Sequence, residues 1–99
     1  MVAVIVRHRV RDYDAWKPGF DEHEVVRRRH GALGHQIYRL SNDPQDLIIV
    51  NQFKDAAGAE AFMADPSLRE VMERAGVVSD PEVAVCEQAE VAEYSVAVA

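Results

Sequence analysis

Along residues 2–10, VAVIVRHRV, apolar side chains recur at every second position, the period of a β-strand. Val2, Val4, Val6, His8 and Val10 share one face, and Ala3, Ile5, Arg7 and Arg9 the other. The period then becomes helical. Asp12 or Asp14 supplies an N-cap and Gly31 a stop, so a first helix is predicted between them. Residues 33–41, LGHQIYRLS, predict a second strand, NDPQ a turn, and 46–54, DLIIVNQFK, a third strand completing a hairpin. Asp55 caps a short Ala-rich helix that Pro66 stops. Ser67 with Glu70 reads as a capping box opening another helix, on which Leu68, Val71, Met72 and Ala75 keep helical spacing as far as Gly76. EVAVCEQAEV, residues 82–91, predicts the fourth strand.

The order β-α-β-β-α-β, with right-handed crossovers, predicts an α+β, ferredoxin-like fold: a four-stranded antiparallel sheet with its helices on one face. Residues 1–90 form one domain and 91–99 a C-terminal tail. The bare sheet face carries Ile or Val on its strands, and a patch of that kind marks an interface. A homodimer through that face is therefore expected, with the alternating tail VAEYSVAVA against the partner subunit.

Composition narrows the function. Ninety-nine residues, 48% hydrophobic and 28% charged, suit one globular domain. A net charge of −6 speaks against nucleic acid, which needs a basic face. The one basic run, Arg27-Arg28-Arg29-His30, stands where a helix ends and complements its dipole. A single cysteine, Cys86, excludes an internal disulfide and reads as a small buried hydrophobe. No segment approaches the roughly 20 apolar residues of a membrane span, and the chain reads as cytoplasmic.

The candidate chemistry lies on the first helix. On a wheel turning about 100° per residue, Phe20, His23, Arg27 and His30 fall within about 40° of Trp16. Asp14, Lys17, Asp21, Glu24, Arg28 and Arg29 form the opposite, solvent arc. Pro18 falls near the helix start and brings a local kink. A metal shared by His23 and His30 fails on geometry, because seven residues separate them by about 10.5 Å along the axis. No metal site is therefore expected, and no Gly-rich phosphate loop marks a nucleotide cofactor. Arg27 lies within reach of both histidines, and a neighbouring cation with partial burial favours neutral imidazole, the form that accepts a proton. His23 is the expected base, assisted by Arg27. Trp16 and Phe20 suit either core or the wall of a pocket. On the strands, Tyr38 and Asn51 are candidate lining groups, with either sheet face free to meet the helices.

The strand followed by RDYDAWKPGFDEH, then LGHQIYR, NDPQDLIIVNQF and ADPSLREVMERAGV, resembles the dimeric α+β barrel superfamily over about residues 2–90. Within it, the chain is most similar to small antibiotic biosynthesis monooxygenase-like (ABM) proteins. The resemblance implies a pocket between sheet and helices, lined by aromatic, Asn, Arg and His side chains. It implies a cofactor-free monooxygenase or a cyclase or isomerase, and carries over no catalytic pattern residue by residue; the helix stripe itself makes His23 and Arg27 the catalytic candidates. Trp16, Phe20, His30, Tyr38 and Asn51 would then hold a small hydrophobic molecule, aromatic or polyketide-like. A ligand- or haem-binding dimer without turnover, and a structural dimer with a closed core, are the alternatives.

Overall fold

The computed structural model describes residues 1–96. Its elements are β1 (Val2–Arg9), α1 (Tyr13–Glu22), α2 (Glu24–Arg29), β2 (Ala32–Leu40), β3 (Asp43–Phe53), α3 (Ala56–Met63), α4 (Pro66–Ala75) and β4 (Glu82–Glu87). The four strands form one antiparallel sheet in the order β2-β3-β1-β4, so the ferredoxin-like expectation holds. Among the described residues no helix is long and apolar enough to cross a membrane.

Register decides which face meets the helices. Val4 pairs with Asn51 and Val85, and Val6 with Ile49 and Val83. Side chains of paired residues share a face, and Val2, Val4, His8, Val10, Leu47, Ile49, Asn51 and Phe53 are buried under the helices. The core has two parts. Val2, Val4 and Phe53 pack with Ala59 and Phe62 of α3; Val10, Leu47 and Ile49 pack with Trp16 and Phe20 of α1. The opposite face, with Ile5, Ile48, Val50 and Tyr38, carries no helix.

Four local expectations are corrected. The first helix is broken at His23, not kinked at Pro18, which sits inside α1. The His23 N–H keeps the helical bond to the Gly19 carbonyl at 3.2 Å, while the Phe20 carbonyl, whose helical donor would be the Glu24 N–H, accepts from the Arg27 guanidinium at 2.8 Å. Asp65, not Ser67, caps α4, with Pro66 in the first turn, where a missing N–H costs nothing. The hairpin turn is Ser41-Asn42, since β3 already begins at Asp43; a register shift between Arg39 and Leu40 takes up Pro44, whose carbonyl accepts from Arg39. β4 ends at Glu87, opposite Val2, rather than at Val91. Val91, Tyr94 and Val96 of the tail are exposed and in no strand, and residues 97–99 of the expected tail contact lie outside the described residues.

One close approach ties α3 to the end of α2. A Cβ on Gly58 would stand 2.2 Å from the His30 carbonyl oxygen, a backbone atom that cannot swing aside. Gly58→Ala is therefore expected to destabilise the fold by about 1–3 kcal/mol, as overpacking does. An unchanged urea midpoint would contradict this.

Candidate functional site

The site begins with α4, a helix with an apolar stripe but no fully buried residue. It packs on α1, where Gly19 approaches Ala75, and its stripe overhangs the sheet without filling the space beneath. A cavity of about 120 Å³ results. Its apolar lining is Val6, Ile49 and Val83 from the sheet, Trp16 and Phe20 from α1, Phe62 and Met63 from α3, and Leu68, Val71 and Met72 from α4. Its polar lining is His8, His23, Arg27 and Asn51.

Five of the seven expected residues thus meet in one place: Trp16, Phe20, His23, Arg27 and Asn51. Two do not. Tyr38 pairs with Ile48 on the sheet face away from the helices and is half exposed, so it does not reach the cavity. His30 terminates α2 and is held by Asp65 at 2.9 Å, outside the lining. His8 was missing from the expected set. Its signal is a polar residue in the apolar row Val2-Val4-Val6-His8-Val10, legible only as an interruption.

The rings are stacked in sequence. Trp16 lies 4.9 Å from Phe20 and, edge-on, 6.0 Å from His8, centroid to centroid. The guanidinium carbon of Arg27 stands 3.7 Å over the Phe20 ring. Such offset and edge contacts use the ring quadrupoles and hold the wall in one arrangement.

The polar groups divide into satisfied and unsatisfied. His23 Nε2 lies 2.9 Å from Ser67 Oγ, and Ser67 Oγ lies 2.7 Å from Asp65 Oδ1. A hydroxyl has one proton, and the carboxylate can only accept. Ser67 therefore donates to Asp65, and His23 Nε2–H donates to Ser67. Neutral His23 then keeps its lone pair on Nδ1. Asp65 is held well below the usual carboxylate range by His30, then by Ser67.

His8, by contrast, is 5% exposed and neither ring nitrogen has a hydrogen-bond partner. Arg27 Nη2 and Asn51 Oδ1 are also buried and unpartnered. An unsatisfied buried polar group costs about 1–3 kcal/mol, so native proteins hold few of them. Here four such atoms belong to three residues lining one cavity.

Burial pushes His8 below the ordinary histidine value, against the attraction of Asp46. Burial and then the Arg27 guanidinium do the same for His23 and for His35, the cross-strand neighbour of Asn51. The folded imidazoles thus bind protons less readily than in the unfolded chain, where the pKa is about 6.5. The sign follows: their contribution to stability is complete above that value and is lost as pH falls below it. The melting temperature is expected to drop between pH 7 and pH 5, and a flat or rising profile over that window would contradict it.

Among the described residues no three His, Cys, Asp or Glu side chains converge as metal ligands do. No protein-family model matches the sequence, and no curated protein does. Solved structures do match. SnoaB, a cofactor-independent oxygenase from Streptomyces nogalater, superposes with a TM-score of 0.74 at 14% identity, over 91% of this chain and 94% of that one. Rv0793 from Mycobacterium tuberculosis gives 0.69 at 16%, over 93% and 98%. An antibiotic biosynthesis monooxygenase gives 0.66 at 17%, over 91% and 100%. Identities this low speak for the backbone alone: this chain has the α+β, ferredoxin-like fold of the antibiotic biosynthesis monooxygenase structures.

Proposed function

We propose that the chain is a small-molecule enzyme that begins by removing a proton from a hydrophobic aromatic substrate. The observation that carries this reading is the set of unpartnered polar atoms on His8, Arg27 and Asn51 around one apolar cavity. Such a space, apolar in bulk and polar at a few points, is the usual character of a ligand site. A closed structural core would hold leucine at those places at no desolvation cost.

The volume narrows the ligand. A dry cavity of roughly 150 Å³ takes up benzene, so a space of about 120 Å³ suits one ring better than a fused polyketide. The ring would lie against Trp16 and Phe20. His8, neutral at pH 7 with both nitrogens free, is the group best placed to take the proton, with Asn51 Oδ1 accepting from a substrate hydroxyl. His23, fixed with its lone pair on Nδ1, is the second basic group. Proton removal leaves an electron-rich enolate or phenolate, a first step common to cofactor-free oxygenation and to isomerisation or cyclisation. In the oxygenation branch the substrate is its own reductant, a CH₂ and O₂ giving C=O and water.

Solvent-exchange NMR on one-ring phenols and enolisable ketones in D₂O, with oxygen uptake in parallel, tests the reading. Exchange of a substrate C–H, lost in His8→Leu, is expected. Binding without exchange or oxygen uptake would instead favour a ligand-binding protein without turnover.

The working unit we propose is a cytoplasmic homodimer joined through the helix-free sheet face, with the tail from residue 91 against the partner. Ile5, Ile48 and Val50 on that face support it. A one-chain mass by light scattering at micromolar concentration would contradict it.

A further inference from the structure

Among the described residues, Arg27 is a buried cation without a counter-ion. Its exposure is 3%. The ion pairs of arginine and lysine among the described residues are made elsewhere, by Arg7, Arg9, Lys17, Arg28 and Arg74, all substantially exposed. A guanidinium stays charged in proteins, and a buried charge is tolerated only when paired and hydrogen-bonded.

The helix break explains half of the side chain. Nη1 donates to the Phe20 carbonyl, and one face of the guanidinium lies on the Phe20 ring. Nη2 is buried and has no partner. The nearest acidic influences, Glu24 and Asp21, act on it through space, without a contact.

We propose that the cavity takes an anionic aromatic molecule, a one-ring carboxylate or its equivalent, whose charge pairs with Arg27 Nη2 while its ring lies against Trp16 and Phe20. The proposal rests on the cavity being a ligand site and adds the charge of the ligand. A carboxylate supplies what the guanidinium lacks: a planar acceptor at hydrogen-bond distance, with an opposite charge in a water-poor space. An anion without a ring would leave the apolar wall uncovered, and a neutral ring would leave the cation bare.

Trp16 is the only tryptophan in the chain and forms the cavity wall, so its fluorescence reads occupancy directly. Benzoate and benzamide, similar in shape and differing in charge, are the probes, at pH 7.5 in the full-length protein. Benzoate is expected to bind about tenfold or more tightly than benzamide, the usual advantage of a charge-assisted hydrogen bond. In Arg27→Met that preference should vanish while benzamide still binds. Should Arg27→Met fail to fold, ¹⁵N NMR of the wild-type arginine side chains decides the point: benzoate must shift the Arg27 guanidinium signals. Equal affinity for the two probes, or a benzoate shift confined to other arginines, would overturn the anion proposal and leave the cavity reading standing. If neither probe altered Trp16 emission at millimolar concentration, both would fall.

Discussion

His8→Leu is expected to make the protein more stable and leave it inactive. Two unpartnered ring nitrogens sit on a residue 5% exposed, and an apolar side chain there removes their desolvation cost. The gain in unfolding free energy should be about 1–3 kcal/mol, the range for an unsatisfied buried polar group. Proton abstraction should fall by roughly 10²–10⁴-fold, as on loss of a positioned general base. The two effects have opposite signs, and that opposition is the informative part. A histidine kept for packing alone would, on replacement, change stability and nothing else. Chemical denaturation and C–H exchange on the same variant separate the cases. A destabilised His8→Leu protein with wild-type exchange would contradict the role assigned to the residue.

Trp16→Ala is expected to cost about 3–5 kcal/mol, the range for removing a large buried aromatic side chain. Trp16 is 3% exposed and packs with Val10, Phe20, Leu47 and Ile49, so it is core and cavity wall at once. Against a total stability of about 5–15 kcal/mol for a domain of this kind, the variant would sit near the edge of folding. Trp16→Phe keeps an aromatic ring in the cluster, and the fold should tolerate it with a much smaller loss. Ligand binding should still weaken, because a smaller ring leaves the wall incomplete. Unfolding curves for both variants, read beside ligand affinity for Trp16→Phe, test the dual role. If Trp16→Phe bound ligand as the wild type does, the wall would not depend on the indole.

The fold was legible because period and punctuation agree along the chain. Alternation on β1 and β3, turn chemistry after β2, and Gly31 and Gly76 at the helix ends, both at positive φ, each mark a boundary without tertiary information. The inward stripe of the first helix was legible for the same reason: Trp16, Phe20, His23 and Arg27 do line one space.

The misses share a physical cause, since each depends on what a side chain meets across the fold. β2 carries polar and apolar residues on both faces, so only its pairing with β3 places Tyr38 away from the helices. The break at His23 is completed by Arg27 reaching back to the Phe20 carbonyl, a bond between residues seven apart that no local propensity records. With the chain turned there, His30 falls to Asp65 rather than to the cavity. Ser67 reads locally as a cap. Asp65 takes that task, and the Ser67 hydroxyl accepts from His23 instead. His8 is hidden by its row, because four valines make its face look like plain core. It is identified by two nitrogens without partners, a property of the folded interior alone.

A crystal structure of the protein with a bound one-ring phenol would test the central claim most directly. The account predicts the ring in the cavity under α4, stacked against Trp16, with its oxygen within about 3.2 Å of a His8 nitrogen or the Asn51 amide, the reach of a hydrogen bond. A cavity holding only water that satisfies His8, Asn51 and Arg27, with the phenol bound elsewhere or nowhere, would contradict it.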